Sequence, residues 1–283
     1  MADVALGIDV GGTKIAVGAV RGDGSLERLE RLPTAATTLP ELAAAAARVR
    51  EGLDAVAVGV GICEVVDDGG AIRSHESVDW TTAQIEDALG PVVLDADVRA
   101  AAVAEARLGA GVPFASFVYV TVGTGIGGGV VVGGRPVHGL VHPEMGHVPI
   151  PRDADDGFAG VCPYHRGCLE GLASGVALRA RWGAAPETLP ADHAAWPRQA
   201  RYLALGICAM TAILSPPRIA LGGGVMRAPG LLERVRGEVA AALAGYIRAP
   251  ELVPPSLGER AGVLGAVALA QSTLDAREYN NAR

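Results

Sequence analysis

The feature that most constrains the fold is an apolar strand that runs into a glycine-rich turn, and it occurs three times. The three segments are VALGIDVGGTKIAVGAV (residues 4–20), SFVYVTVGTGIGGGVVVGGRPV (116–137) and RIALGGGVM (218–226). In the first two, a second apolar strand follows the turn, which predicts a β-hairpin rather than the strand-to-helix turn of dinucleotide-binding proteins. Two similar halves indicate an internally duplicated fold that closes on a nucleotide.

Helices and strands alternate between these segments. A buried strand is predicted at 55–62, and PVVLDAD (91–97) is predicted as a strand that leads into a helix ending near Gly109. Further helices are predicted at 39–51, 171–181, 197–214, 229–246 and 262–275, and a long irregular stretch at 138–170. This order predicts an α/β protein with a mostly parallel or mixed sheet.

Composition narrows the functional class. The chain has 283 residues, a net charge of −7 and four cysteines. The charge speaks against nucleic acid or an anionic membrane as a partner. No apolar run reaches the roughly 20 residues of a membrane helix, and the N-terminus carries no export signal, so we expect a cytoplasmic protein. Cys63 and Cys208 are predicted to be buried thiols in this reducing compartment.

The glycine turns carry groups that suit phosphate. Glycine lets backbone amides approach phosphate oxygens, while a threonine hydroxyl, a lysine and an aspartate that holds a metal-bound water add to the site. The third turn is more apolar and suits adenosine. The candidate nucleotide residues are Asp9, Gly11, Gly12, Thr13, Lys14, Gly123, Thr124, Gly125, Gly222, Gly223 and Gly224. For the first turn, a plain hairpin with a lysine on its rim is the alternative.

The segment VCPYHRGC places Cys162, His165 and Cys168 at intervals of three. This spacing suits tetrahedral Zn²⁺, and His147 is the best candidate for a fourth ligand, ahead of His138 and His142. Such a structural ion would order the irregular stretch. Metal-free thiols, a redox pair and a disulfide are the alternatives.

Asp97 stands where a strand passes into a helix. It could accept a proton from an attacking hydroxyl, with the helix N-terminus favouring its ionised form. An ordinary helix N-cap is the alternative for this residue. Asp95 would share its side of the strand only if the strand stayed extended as far as Asp97.

The motifs GIDVGGTK, VTVGTGIGGG, HPEMGH, CPYHRGCLEG and IALGGGVM together resemble the ROK family of sugar kinases along essentially the full length, most closely its bacterial fructokinase branch. The resemblance implies an actin-like/hexokinase (ribonuclease H-like) α/β fold with two lobes around a nucleotide cleft. The small lobe would comprise 1–107 plus about 260–283, and 108–259 would form the large lobe with a zinc-binding loop. ATP, Mg²⁺ and structural Zn²⁺ would be the cofactors, and a sugar hydroxyl, usually O6 of a hexose, the acceptor.

The resemblance also implies roles for single residues. Asp97 matches the catalytic aspartate, Glu144, His147 and Glu170 match the residues that contact sugar hydroxyls, and His147 completes the zinc site. A homodimer is common in the family.

The chain departs from the family pattern beside the expected sugar site. Ala96 and Arg99 stand where asparagines are common, and Cys63 and Glu64 replace a Pro-Gly. Polar contacts of this kind set sugar preference, so glucokinase, mannokinase and aminohexose kinase are alternatives to fructokinase. Glu64 could hold an amino group, or be a surface loop residue.

Two other functions are alternatives to a kinase. A sugar-responsive ROK regulator would need an N-terminal DNA-binding segment of roughly 60–80 residues, whereas the first hairpin begins near residue 7. A sugar-binding relic without catalysis is disfavoured by the retention of Asp97 and of all three glycine turns.

Overall fold

The computed structural model describes residues 4–67, 69–74 and 77–281. Five strands form the first sheet in the order β3-β2-β1-β4-β5. Their bounds are β1 Val4–Val10, β2 Lys14–Arg21, β3 Leu26–Pro33, β4 Ala55–Ile62 and β5 Val93–Ala96. β1 pairs with β2 antiparallel and with β4 parallel, and β4 pairs with β5 parallel. The predicted first hairpin and mixed sheet are therefore confirmed.

The second sheet repeats this arrangement. Its strands are β6 Phe117–Val122, β7 Ile126–Val132, β8 Arg135–Pro136, β9 Arg218–Gly222 and β10 Glu251–Val253. They follow the order β10-β9-β6-β7-β8. When the strands of each sheet are counted from its own first strand, this is the order of the first sheet read from the opposite edge. The match agrees with the internal duplication that the glycine turns indicate.

Eight helices are described with these strands. They are α1 Leu39–Arg50, α2 Thr82–Leu89, α3 Asp97–Leu108, α4 Leu169–Ala173, α5 Gly175–Trp182, α6 Ala195–Leu214, α7 Leu231–Leu243 and α8 Ala261–Asn281. Sequence patterning had not predicted β3, α2 or β10. β3 (LERLERLP) lies at the edge of its sheet, where charged residues are common because they discourage edge-to-edge pairing.

Local signals explain where the helices begin. In α1 the Thr38 and Glu41 side chains form a capping box, and Leu42, Ala45 and Val49 bury one face. This spacing gives the helix an apolar stripe that packs on the first sheet. The strands β1 and β4 are almost wholly apolar because both lie inside a sheet, and α8 packs against both of them and against α3.

The chain divides into two compact units. One comprises 1–112, 129–143 and 256–283, and the other comprises 113–128 and 144–255. The division predicted from sequence had placed 129–143 in the large lobe, whereas this segment belongs to the first unit. The reason is its packing on α3, since a Cβ on Gly129 would stand 2.5 Å from the Ala102 methyl group. Among the described helices, none combines the length and apolarity needed to cross a membrane.

Candidate functional site

In the first unit, the candidate residues gather at the carboxyl ends of three neighbouring strands. Val10 of β1 pairs with Ile62 of β4, and Ile62 pairs with Ala96 of β5. Cys63 is therefore the first residue after β4, and Asp97 is the first residue after β5. Carboxyl ends of neighbouring parallel strands are a common position for ligand sites in α/β proteins.

Asp97 is the first residue of α3, and its N-cap is Ala96. The alternative that made Asp97 the N-cap is therefore wrong. Its Oδ1 accepts a hydrogen bond from the Val98 N–H at 2.6 Å. A helix start at this position stabilises a negative charge.

The surroundings of Asp97 shift its pKa in opposite directions. Burial raises its pKa above the usual value, and the charge of Glu64 raises it further. The Val98 N–H, the His142 imidazole and a hydrogen bond from the Cys63 thiol lower its pKa. The net increase makes the group a better proton acceptor than an exposed carboxylate.

Asp9 on β1 is the second carboxylate of this site. Burial, and then the charge of Asp97, raise its pKa to about 7, while Lys14 lowers it. Gly262, at the start of α8, leaves space for the Asp9 carboxylate, because a Cβ at this position would collide with it. A buried carboxylate whose pKa is raised by a second carboxylate marks a place where a cation is favourable.

The first glycine turn is short and lies open to solvent. The Gly11 N–H donates to the Lys14 carbonyl at 3.1 Å, and the buried Thr34 hydroxyl donates to the Gly11 carbonyl at 2.7 Å. Gly12 and Thr13 form the exposed tip. Lys14 is half exposed and pairs with Glu259 at 3.2 Å. The hydrogen bonds of Gly11 thus hold the base of the turn in place, and the exposed side of the turn carries Lys14.

Asp95 does not join the site. β5 ends at Ala96, so the strand does not stay extended to Asp97 and the condition for a shared side is not met. Asp95 is buried and forms an ion pair with Arg99. The charge of Arg99, on α3, is therefore matched by Asp95, on β5.

Glu64 is buried, with 6% of its surface exposed, so its interpretation as a surface loop residue is wrong. Its Oε1 accepts the Ser77 N–H at 2.6 Å, and its Oε2 accepts the Ser74 hydroxyl at 2.5 Å. Both oxygens thus fasten the loop that precedes α2. Cys63, expected to be buried, is exposed, and Cys208 is only partly buried.

The second unit contains a cavity of about 900 Å³. It lies where two of the glycine turns meet the first turn of α5. Its lining comprises Gly123, Thr124, Gly175, Val176, Arg179, Pro186, Glu187, Leu189, Trp196, Gly224, Val225, Arg227, Ala228 and Pro229. The volume falls in the range of small-molecule sites, and the mixture of glycine backbone, apolar and basic side chains suits a nucleotide.

The third turn requires glycine. Gly223 has a φ of +91°, and a Cβ there would collide with the Val122 carbonyl at the end of β6. Gly222 is the last residue of β9, and Gly224 lines the cavity. In the second turn, Gly125 lies beside the Glu170 carboxylate, and a Cβ on Gly125 would stand 2.5 Å from it.

The second unit also brings His147, Cys162, His165 and Cys168 together, with their four ligand atoms all within 4.8 Å of one another. The Cys162 Sγ is 3.6 Å from the His147 Nδ1 and 3.7 Å from the His165 Nδ1, and the Cys168 Sγ is 3.7 Å from the His147 Nδ1. A tetrahedral zinc ion, with bonds of about 2.3 Å to sulfur and about 2.0–2.1 Å to nitrogen, separates the two elements by about 3.6 Å. The donor set therefore fits Zn²⁺. His138 and His142 lie outside this cluster and act on Asp95.

The backbone holds both sulfurs in place. The His165 N–H donates to the Cys162 Sγ and the Gly171 N–H donates to the Cys168 Sγ, each at 3.4 Å. Burial first, and then the neighbouring Cys162, raise the pKa of the Cys168 thiol to about 11, while the Gly171 N–H lowers it. Two buried thiols of this kind become thiolates when a cation binds, because the cation displaces their protons.

Glu170 lies between the metal-ligand cluster and the second glycine turn. Its Oε2 accepts the Ile126 N–H at 2.9 Å, and its Oε1 stands 3.9 Å from the His147 Nε2. His147 thus directs Nδ1 to the sulfurs and Nε2 to a carboxylate, an arrangement that orients metal-ligating histidines. Glu144 is the residue before the short 3₁₀ turn Met145–His147, and its carbonyl accepts the His147 N–H at 3.0 Å.

A buried ionic network that the sequence did not indicate holds the loop before the cluster. Asp156 is 9% exposed and pairs with Arg181 at 3.0 Å and with Arg198 at 3.7 Å. The Tyr202 hydroxyl donates to the same carboxylate, and the Arg181 guanidinium lies over the Phe158 ring. α5 and α6 thereby fix the start of the loop, so its order does not depend on a metal alone.

Known proteins resemble this chain over nearly its whole length. A fructokinase of Zymomonas mobilis subsp. mobilis is 38% identical over 288 residues, 93% of this chain and 95% of that protein. A kanosamine kinase of Amycolatopsis mediterranei is 35% identical over 94% of this chain and 95% of its own.

Solved structures extend the comparison. The ROK hexokinase of Thermus thermophilus superposes with a TM-score of 0.83 at 32% identity, covering 96% of this chain and 99% of the other. A ROK family glucokinase of Streptomyces griseus, in complex with glucose and AMPPNP, gives 0.79 at 29% identity over 95% and 99%. These likenesses confirm the expected α/β two-domain sugar kinase fold.

The family model described as "ROK family" matches residues 5–273. That range contains both sheets, the three glycine turns and the Cys/His cluster. The chain therefore belongs to the ROK family.

Proposed function

We propose that this protein is an ATP-dependent hexose kinase of the fructokinase type, which transfers the γ-phosphate to the 6-hydroxyl of the sugar. The observation that carries the proposal is Asp97, a carboxylate with a raised pKa at the carboxyl end of β5, in a chain 38% identical to a fructokinase. Phosphoryl transfer needs positioning, charge neutralisation and a group that accepts the hydroxyl proton, and Asp97 suits the last of these roles.

We assign the nucleotide to the glycine turns. In the second unit, Gly123, Thr124 and Gly224 would contact the nucleotide in the cavity of about 900 Å³ that they line. In the first unit, Gly11, Gly12, Thr13 and Lys14 would face the phosphates. The support for ATP is the AMPPNP complex of the Streptomyces griseus relative.

Mg²⁺ fits the carboxylate of Asp9, whose raised pKa of about 7 marks a place where positive charge is favourable. Asp9 would orient a water of the ion's hydration shell, and the ion, when bound with ATP, supplies charge neutralisation. Lys14 would add a second positive charge.

We assign the sugar hydroxyls to Glu144, His147 and Glu170. Carboxylates and an imidazole are suitable partners for hydroxyl groups because they accept or donate hydrogen bonds in a fixed direction. Asp97 would then accept the proton of the attacking hydroxyl as the hydroxyl oxygen bonds to the γ-phosphorus, while the bond from this phosphorus to the β–γ bridging oxygen breaks and ADP leaves. Zn²⁺ on His147, Cys162, His165 and Cys168 would supply order to the loop and take no part in the transfer.

Two classes of sugar are candidate substrates, neutral hexoses and aminohexoses. The likeness to a kanosamine kinase favours testing the second class. Glu64 is a poor candidate for the amino group, because both its oxygens accept hydrogen bonds from the loop of Ser74 and Ser77.

The test is a coupled assay of ADP release over fructose, glucose, mannose, glucosamine and kanosamine, with ATP and Mg²⁺. We expect turnover to be greatest with fructose. A preference for an aminosugar would replace the fructokinase assignment, and no ADP release with any sugar would overturn the kinase assignment.

A further inference from the structure

The geometry points to Cys63 as a positioning residue for the Asp97 carboxylate, with its thiol donating the hydrogen bond that holds the carboxylate in the orientation needed for proton transfer. This inference rests on the proposed function, because it takes Asp97 as the proton acceptor.

Strand register puts the two residues side by side. Ile62 pairs with Ala96 in parallel register, so Cys63 and Asp97 are the first residues beyond the ends of β4 and β5. At Gly61, one step earlier on β4, a Cβ would lie 3.3 Å from the Asp97 Cα. The Cys63 N–H donates to the Val10 carbonyl at 2.9 Å, which fixes the cysteine backbone to β1.

This position lets the Cys63 thiol bond to the Asp97 carboxylate, an interaction that lowers the pKa of Asp97 and so favours its ionised form. The Val98 N–H binds Oδ1 from the helix side at 2.6 Å. A second donor, arriving from a different strand, restricts rotation of the carboxylate. A thiol is a weak donor, so the contact is suited to holding a carboxylate without neutralising it.

The thiol is also reachable. Cys63 is exposed, whereas Cys162 and Cys168 are buried and Cys208 is partly buried. Alkylation of Cys63 would replace the S–H donor by a bulkier thioether. Loss of the donor and added volume beside Asp97 would both lower the rate of the chemical step.

The experiment compares Cys63→Ala and Cys63→Ser with the unmodified enzyme, on the sugar that the enzyme turns over best. We expect Cys63→Ala to lower kcat about two- to tenfold with little change in the KM values for sugar and ATP, the size of one lost weak hydrogen bond. Cys63→Ser keeps a donor and should restore most of kcat. Cys63→Ala with unchanged kcat would overturn the inference, as would equal losses in both variants.

Alkylation gives an independent measurement on the folded, unmutated enzyme. Iodoacetamide should inactivate it in proportion to the labelling of Cys63 found by mass spectrometry, with zinc content unchanged. Cys63→Ser should resist, and Cys208→Ser should stay as sensitive as the unmodified enzyme. Full activity after complete labelling of Cys63 would contradict the inference.

Asp97→Asn separates this inference from the function on which it rests. If Asp97→Asn is inactive while Cys63→Ala and the alkylated enzyme work normally, only the role of Cys63 is wrong. If Asp97→Asn retains turnover, the proposed proton acceptor is wrong and the role of Cys63 is wrong with it.

Discussion

The Asp9 and Asp97 carboxylates of the first unit and the Cys168 thiol of the second are acids in surroundings that disfavour their charge, yet the two sites are built differently. Burial is the main cause in both, and it raises the pKa of Asp9 to about 7 and that of Cys168 to about 11. The thiols belong to a closed set of four ligand atoms within 4.8 Å of one another. Asp9 and Asp97 remain partly exposed, and the half-exposed Lys14 stands near Asp9.

The difference indicates two kinds of cation. A closed tetrahedral set of sulfur and nitrogen suits an ion that stays with the protein from folding onward. A pair of open carboxylates suits a hard cation that keeps its waters and arrives with phosphate. Stability should therefore depend on the first set and turnover on both.

The largest expected effect comes from removing one thiol of the closed set. Cys168→Ser should lower bound zinc from about one ion per chain to well below that and reduce the melting temperature by on the order of 10 °C, because the metal contributes to folding. Metal analysis and thermal unfolding measure this. Cys208→Ser, a thiol outside the set, is the matched control and should keep its zinc. Equal zinc content in Cys168→Ser and Cys208→Ser would contradict the assignment of the metal site.

A smaller effect should follow from Glu170→Gln, which keeps the side-chain shape but removes the charge between the Ile126 N–H and His147. We expect kcat/KM for the sugar to fall about 10- to 100-fold while zinc is retained, because the sugar loses one hydrogen bond to a charged group, worth about 1.5–3 kcal/mol. Steady-state kinetics and metal analysis measure the two quantities. Glu233→Gln, on the exposed face of α7, should change neither. Loss of zinc together with activity would mean that Glu170 serves the metal site alone.

The smallest effect concerns stability and pH. The pKa of Asp9 is about 7 in the folded chain against an ordinary value of 3.8. The folded state therefore holds a proton that the unfolded state has lost between about pH 4 and pH 7, and the contribution of Asp9 to stability decreases as pH rises through this range.

Asp9→Asn removes this titration. Without nucleotide, the variant should be more stable than the unmodified protein at pH 7.5 by on the order of 1–2 kcal/mol, with no gain at pH 4. Urea unfolding at the two pH values measures the difference. If the variant and the unmodified protein are equally stable at pH 7.5, the surroundings of Asp9 do not disfavour its charged form, and the prediction is wrong.

Sequence reasoning located the features that depend on neighbours along the chain. The hairpin around Gly11 and Gly12, the strand at 55–62 and the spacing of Cys162, His165 and Cys168 are all local patterns. They follow from glycine content, apolar periodicity and metal-ligand geometry within a few residues.

Features that depend on distant partners were missed. The buried carboxylate of Glu105 on α3 accepts the Ser256 and Leu257 N–H groups at 3.1 and 2.8 Å, about 150 positions away. Asp156 depends in the same way on Tyr202, and β3 carries too many charges to show the pattern of a buried strand. Cys63 looked like a buried thiol because its neighbours are apolar, but it follows the last residue of β4 and lies exposed. No local pattern records such long-range contacts.

The most direct test of the account is ADP release by Asp97→Asn with saturating ATP, Mg²⁺ and fructose, alongside the unmodified enzyme. The account predicts a loss of kcat of about 10²- to 10⁴-fold, the usual contribution of a general base, with ATP affinity and melting temperature retained. A variant that turns over within about twofold of the unmodified enzyme would contradict the central claim that this carboxylate accepts the sugar proton.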